Sequence, residues 1–233
     1  MHVAIVTVGD ELLAGRTTNT NATWLCGRLD DRGVDVERVT TVPDDVSAIA
    51  RLVNEYHAEY DAVIVTGGLG PTHDDVTMEG VAAAFGRSLE YNEDAMAWLE
   101  VEGGYTRDDL TSGTADIPRG ARPLHNDEGV APGCVIGSVY VLPGVPTEMK
   151  RMFDRVSDAF NGAPRYREVV VADEPESALL DRLEAVQDRY DVPVGSYPGG
   201  SVRIVVQSRE KTAVEEATRW LRERVDVVDD LER

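Results

Sequence analysis

The order of the first third of this 233-residue chain restricts its fold most. Residues 2–8 (HVAIVTV) and 61–66 (DAVIVT) are short runs dominated by apolar, β-branched side chains, without regular polar alternation. Such runs belong to strands covered on both faces, because a strand with one wet face would alternate. Residues 34–42 read as another strand between them. Ala22, Leu25, Cys26 and Leu29 recur at helical spacing before Arg32-Gly33, and Ile49, Leu52, Val53 and Tyr56 do so before Tyr60-Asp61. Strand, helix, strand, helix, strand in that order implies right-handed crossovers and a doubly wound parallel sheet. The expected fold class is α/β, with a mostly parallel sheet between helices.

Further on, residues 76–85 and 92–101 read as helices, the first stopped by Gly86. Residues 103–133 scatter Gly, Pro and Asp without periodicity, which predicts a long ordered loop or short helices. Residues 135–142 predict a strand pair around Gly137-Ser138, and residues 148–160 a helix. Asn161-Gly162-Ala163-Pro164 marks a boundary, giving domains 1–163 and 164–233. The second reads as strand 167–172, helix 176–189, strands 192–197 and 202–208, and helix 212–227. That small α+β unit, about 65 residues, lies near the lower limit for independent folding.

Charge narrows the partners. Lys+Arg 23 against Asp+Glu 43 leaves a formal net charge of −20, which repels nucleic-acid backbones and anionic membranes. No apolar run approaches the ~20 residues of a membrane span, and Met1 leads into a strand without a signal-peptide pattern. Cys26 and Cys134 make neither a disulfide framework nor a metal-binding spacing. A soluble cytoplasmic protein is expected. Lys150 and Lys211 are the only lysines and aromatics are 6%, a composition suited to concentrated salt, hence a halophilic source. On such a surface a lone carboxylate is first a hydrating group.

The segment carrying the strongest chemical signal is Thr66-Gly67-Gly68-Leu69-Gly70-Pro71-Thr72-His73-Asp74-Asp75-Val76-Thr77. Three glycines between a buried strand and a helix allow consecutive N–H groups to converge on an anion, and the helix adds its positive end. A phosphate or diphosphate is the expected guest at Gly67, Gly68, Leu69, Gly70 and Thr72. Thr72 and Asp75 also have the spacing of a capping box, with Asp75 then one turn inside the helix. The loop matches neither the Walker nor the dinucleotide fingerprint. Carboxylates beside a phosphate suit a bridging Mg²⁺, with Asp75 favoured and Asp74 more simply a dipole partner. His73 reads as a solvent-facing turn residue. Three further loops leave the same sheet edge: Gly9-Asp10-Glu11 with Asn19 and Asn21, Pro43-Asp44-Asp45, and Pro143-Gly144-Val145-Pro146. Asp10 reads equally as ligand contact or turn residue, Asn19 as ligand contact or helix cap, and Asp45 as a cap that leaves Asp44 free.

In order and spacing these segments resemble the N-terminal part of the CinA family, similar in turn to the molybdopterin-binding MogA/MoaB proteins. The matching residues are Gly9 to Leu13 with Asn19-Thr20-Asn21, Pro43-Asp44, Thr66 to Thr72 with Asp74 to Thr77, Asn126 to Gly133, and Leu142 to Met149. Ser196-Tyr197-Pro198 with Gly200 resembles the small KH-like domain of CinA chains. The resemblance implies a three-layer α/β/α fold and a nucleotide- or pterin-diphosphate cleft. It implies active-site roles for Asp44 and Asp75, and metal-dependent hydrolysis of ADP-ribose and related diphosphates. CinA chains usually continue into an amidase domain; this chain ends at Arg233, so that activity is expected to be absent.

The resulting expectation is a pyrophosphatase in which Asp44 and Asp75, with Asp74 in reserve, hold Mg²⁺, Mn²⁺ or Co²⁺. The amides of residues 67–72 then stabilise phosphoryl charge, and Asp10, Asn19, Asn21, Pro143 and Gly144 complete the cleft. Binding or adenylylating molybdopterin is the alternative for the same cleft. An RNA-binding small domain comes third, disfavoured by acidity and by the lack of a basic G-x-x-G loop. A homodimer is the expected assembly.

Overall fold

The structure is a computed structural model that describes residues 1–106, 108 and 110–228. The chain divides into two compact units, Met1–Gly162 and Ala163–Arg233. Arg233, on which the expected absence of an amidase rests, lies with residues 229–232 outside the described residues.

In the first unit, β1 (His2–Val8), β2 (Asp35–Val42) and β3 (Ala62–Thr66) alternate with α2 (Thr20–Asp30) and α3 (Val46–Glu59). A short helix, α1 (Asp10–Leu13), follows β1 directly. Next come α4 (Thr77–Ala84), β4 (Leu89–Tyr91), α5 (Glu93–Val101), β5 (Asp116–Pro118) and β6 (Arg122–Leu124). The unit closes with β7 (Gly133–Ile136), β8 (Val139–Leu142) and α6 (Pro146–Val156). The main sheet has the order β2-β1-β3-β8-β7-β6. Its first four strands run parallel and the β8–β7 and β7–β6 pairs antiparallel.

Both faces of this sheet are covered, as the unalternating strands require. Ala4, Val6 and Val8 of β1 and Val63 and Val65 of β3 pack with Ile49, Val53 and Val81 of α3 and α4. Val3, Ile5 and Ile64 point the other way, onto Leu25 and Leu29 of α2 and Met149, Met152, Phe153 and Val156 of α6. The α6 contacts fall at i, i+3, i+4 and i+7, one stripe of the helix. Pro146 sits in its first turn, where a missing N–H costs nothing. The result is a three-layer α/β/α unit.

Three expectations need correction. Residues 103–133 are not simply loop or helix: β5 pairs with β4, and β6 forms an edge of the main sheet. These strands have three residues each, too few to show alternation, and Pro118 and Pro123 disguise them; an edge strand tolerates proline because half its N–H groups face outward. Helix α4 starts at Thr77 with Val76 as its N-cap, so Asp75 lies in the loop and not one turn into the helix. The last helix of the chain ends at Arg222, short of residue 227.

The second unit comprises β9 (Tyr166–Ala172), α7 (Glu176–Tyr190), β10 (Val194–Tyr197), β11 (Val202–Ser208) and α8 (Lys211–Arg222). Its antiparallel sheet has the order β10-β11-β9. Val170, Ala172, Val202, Ile204 and Val206 meet Leu179, Leu183, Val186, Val214, Ala217 and Leu221 in a core of its own. Among the described residues no helix is long and apolar enough to cross a membrane.

Candidate active site

Strands β1, β2, β3 and β8 end at one edge of the sheet, and the chain leaving each turns into one hollow of about 250 Å³. Gly9, Glu11, Asn19 and Asn21 enter from β1 and its following loop, Asp44 from β2, Gly67, Gly68, Asp74 and Asp75 from β3, and Gly144 and Pro146 from β8. Parallel strands bring this about, because they place every strand-to-helix loop of a doubly wound sheet at the same rim.

Glycine is required at the loop's first two positions. Gly67 has φ 111° and Gly68 φ 60°. A Cβ on Gly67 would run into the carbonyl oxygen of Val8, and one on Gly68 would stand 2.5 Å from Thr77 Oγ1 and 3.5 Å from Asp44 Oδ1. The loop's amides divide into two sets. Gly67 N–H donates to Leu142 O (3.2 Å) and Thr72 N–H to Asp75 Oδ2 (3.0 Å), so these two are not free to receive a phosphate, contrary to the expectation for residues 67–72 as a whole. The N–H groups of Gly68, Leu69 and Gly70 make no hydrogen bond among the described residues. Consecutive unsatisfied amides of this kind form a cradle for an anion.

The acidic residues are held differently from one another. Asp44 accepts the Asp10 N–H on Oδ2 (2.8 Å), while its neighbour Asp45 caps α3 by accepting Ala48 N–H. Burial raises the Asp44 pKa above the ordinary aspartate value, and the charges of Asp10, Glu11 and Asp74 push it the same way against the Asp10 amide. Asp75 Oδ2 takes both the N–H and the hydroxyl of Thr72 (2.5 Å), and its own N–H returns to Thr72 O. The capping-box pair therefore closes a turn that precedes the helix. Asp74 is solvent-facing. His73 is wholly exposed, as a turn residue should be.

Asn19 is occupied: its Oδ1 caps α2 at Ala22 N–H and its Nδ2 donates to Thr7 Oγ1 (3.0 Å). Asn21 Nδ2 donates to Gly144 O (2.7 Å), tying two loops together, and its buried Oδ1 has no partner among the described residues. Pro143 is buried and accepts the Thr66 hydroxyl on its carbonyl, so it braces the rim without lining it. Asp10 does not line the hollow either; Glu11 does. Leu69, Gly70 and Thr72 face an adjacent hollow of about 420 Å³ with Met78, Leu89, Tyr105 and Pro132, and Gly68 and Asp75 border both. Among the described residues no three His, Cys, Asp or Glu side chains stand close enough to hold a metal ion by themselves.

Residues 4–162 match the family model "Probable molybdopterin binding domain". A CinA-like protein of Citrifermentans bemidjiense is 44% identical over 161 residues, 66% of this chain and 39% of that longer protein. The crystal structure of a CinA protein "with unknown function" from Thermoplasma acidophilum superposes with a TM-score of 0.63 at 38% identity, covering 69% of this chain and 99% of that one. The chain is a CinA-like member of the molybdopterin-binding-domain family. A protein of Archaeoglobus fulgidus is 38% identical over 225 residues, 96% of this chain and 97% of its own. Residues 164–230, likened above to a KH-like module, match the family model "FAD synthase, middle domain".

Sequence reasoning overlooked several groups of this CinA-like site. Glu11 was passed over for its neighbour Asp10, yet the first turn of α1 aims Glu11 into the hollow. Thr7 and Thr66 occupy equivalent strand-end positions, paired in register, and both line the hollow. A polar residue at or next to the end of an otherwise apolar strand is the signal that could have found them. Asn126 is buried, with Nδ2 bound to Ala131 O and Glu148 Oε2 and Oδ1 accepting Glu128 and Gly129 N–H; it organises the Asn126–Gly133 segment and does not face the hollow.

Proposed function

We propose that this CinA-like protein hydrolyses a nucleotide diphosphate of the ADP-ribose class with the help of a divalent cation. The observation that carries the reading is the meeting of the free amides of Gly68, Leu69 and Gly70 with Asp44 and Asp75 around one rim. Amides alone would attract a phosphate, but the neighbouring carboxylates repel it, and a cation between them reconciles the two. The crowding of Asp44 by Asp10, Glu11 and Asp74 supports the same need for positive charge. Two protein carboxylates with water and substrate oxygens suit Mg²⁺, Mn²⁺ or Co²⁺ in a site without three protein ligands. Asp44 and Asp75 would hold the ion, with Asp74 on the open side; when bound there it supplies charge neutralisation and Lewis acidity.

In this reading Gly68, Leu69 and Gly70 receive the phosphoryl oxygens and orient the diphosphate across the glycine loop. Asn21 fixes the position of the opposing Gly144 loop. The adjacent hollow, with Leu69, Met78 and Tyr105 on its walls, suits a planar ring at one end of the substrate. The test is release of AMP from ADP-ribose by the intact protein with Mg²⁺, Mn²⁺ or Co²⁺. Turnover is expected, falling ~100-fold or more in Asp75→Ala. No turnover, or undiminished turnover in the variant, would overturn the proposal. A second reading is molybdopterin binding or adenylylation in the same cleft, and the family description, a probable molybdopterin binding domain, is consistent with the binding. Calorimetry with a pterin phosphate and with ADP-ribose separates the two.

A further inference from the structure

Helix α6 serves both hollows. Pro146, its first residue, and Gly144 just before it line the smaller one. Glu148, Arg151 and Arg155 then follow at i, i+3 and i+7, a polar stripe distinct from the apolar stripe of Met149, Met152, Phe153 and Val156 that packs on the sheet. Each member of the polar stripe holds one residue of the segment that opens at Asn126. Glu148 Oε2 accepts Asn126 Nδ2–H (2.8 Å), Arg155 Nε donates to Asp127 Oδ2 (3.0 Å), and Arg151 pairs with Glu128 (3.4 Å). The two arginine pairs are exposed, where such pairs contribute little. Asn126, by contrast, is 2% exposed and makes the four hydrogen bonds a side-chain amide can make. Besides Glu148, its Nδ2 donates to Ala131 O (3.0 Å), and its Oδ1 accepts the N–H groups of Glu128 (3.3 Å) and Gly129 (3.0 Å). The segment is thus folded around this one side chain, and its next residues, Val130, Ala131 and Pro132, form a wall of the larger hollow. The Glu148 carboxylate lies over Gly129, where a Cβ would stand 2.5 Å from Cδ.

We propose that Asn126 and Glu148 are positioning residues that fix the Val130–Pro132 wall of the larger hollow, and thereby set its affinity for the ring-bearing end of the ligand. Neither residue lines either hollow, so both act through the wall. A loop is ordered by where its backbone hydrogen bonds go, and here three of them end on Asn126. Removing the Glu148 carboxylate leaves one buried amide proton of Asn126 without its partner, which loosens the side chain around which the loop is folded. No residue of 126–133 lines the smaller hollow, so the effect should reach the ring and spare the phosphate. The consequence for ADP-ribose rests on the nucleotide reading above; the anchoring of the wall does not.

The test uses three variants of the intact protein. Glu148→Ala removes the acceptor, and Glu148→Gln restores one at the same reach. Gly129→Ala displaces the carboxylate, the free end of a long side chain, while leaving its charge in the protein; the Gly129 backbone is not left-handed, so alanine adds no strain of its own. Hydrogen exchange followed by mass spectrometry is expected to quicken ~10-fold over residues 126–133 in Glu148→Ala and Gly129→Ala, with residues 62–66 unchanged and Glu148→Gln close to wild type. In calorimetry with Mg²⁺, Kd for ADP-ribose is expected to rise ~10-fold in the same two variants, while pyrophosphate, which lacks the ring, stays within about twofold. Unchanged exchange over 126–133 in Glu148→Ala, a rise spread over the whole first unit, Glu148→Gln as impaired as Glu148→Ala, or equal losses of ADP-ribose and pyrophosphate would overturn the proposal. If the wild type binds no ADP-ribose, the nucleotide reading fails alone and the exchange rates still decide the role of Asn126 and Glu148.

Discussion

Gly67→Ala tests whether the glycine loop is wedged against the first strand. Two costs combine at this position. Its φ of 111° lies where L side chains are disfavoured, a penalty of about 1–2 kcal/mol. The added Cβ also meets the Val8 carbonyl, a main-chain atom at the end of β1 that is held by the pairing of Val8 with Val42. Retreat of the loop is opposed by the Gly67–Leu142 hydrogen bond, so overpacking should add about 1–3 kcal/mol. The sum is ~2–5 kcal/mol. Gly86→Ala is the control: its φ is 59°, but nothing lies within 4 Å of the new Cβ, so the conformational part alone remains, about 1–2 kcal/mol. Urea unfolding followed by circular dichroism measures both, and at this chain length each kcal/mol lowers Tm by ~2–4 °C. Agreement of the two variants within about 0.5 kcal/mol would show that Gly67 is not wedged, and the close approach described here would be wrong.

Other expectations follow from the same geometry. Because burial and like charge raise the Asp44 pKa, its folded-state contribution is favourable below the unfolded value near ~3.9 and is lost as pH rises through the higher folded value, so at neutral pH the charge is destabilising. Asp44→Asn is expected to raise Tm, while removing cation-dependent turnover; a lower Tm in differential scanning calorimetry would contradict this. Cys134 is fully buried and its thiol is pushed up to about 12, so a thiol reagent at neutral pH should leave it unmodified until urea is added. Native labelling of Cys134 detected by mass spectrometry would refute that burial. The acidic, lysine-poor surface predicts a Tm that rises in molar KCl, and a melt indifferent to salt would argue against a halophilic surface.

Much of this arrangement was legible in the sequence because buried parallel strands leave a strong trace. The unalternating runs ending at Val8 and Thr66 fixed two strands with both faces covered, and hence the rim at which their loops meet. Asp44 could be separated from Asp45 because one of the pair had to cap α3. Hydrogen-bond allegiance was not legible. Nothing in the spelling of the glycine loop says that Gly67 and Thr72 give up their amides while Gly68, Leu69 and Gly70 keep theirs. Nor does it say that Asp75 closes a turn onto Thr72 before the helix begins. Asn19 and Asn21 look alike on paper, yet one is consumed by a cap and the other ties Gly144 in place. The strands Asp116–Pro118 and Arg122–Leu124 escaped because partners distant in sequence, not local pattern, make three residues a strand.

The most direct measurement of the central idea is calorimetric titration of the intact protein with ADP-ribose, with and without Mn²⁺, repeated on Asp44→Asn and Asp75→Ala. Binding in the wild type that requires the cation and is lost in both variants is the predicted result. Cation-independent binding that survives both substitutions would contradict the account, because the acidic rim and the glycine amides would then not be acting on one ligand.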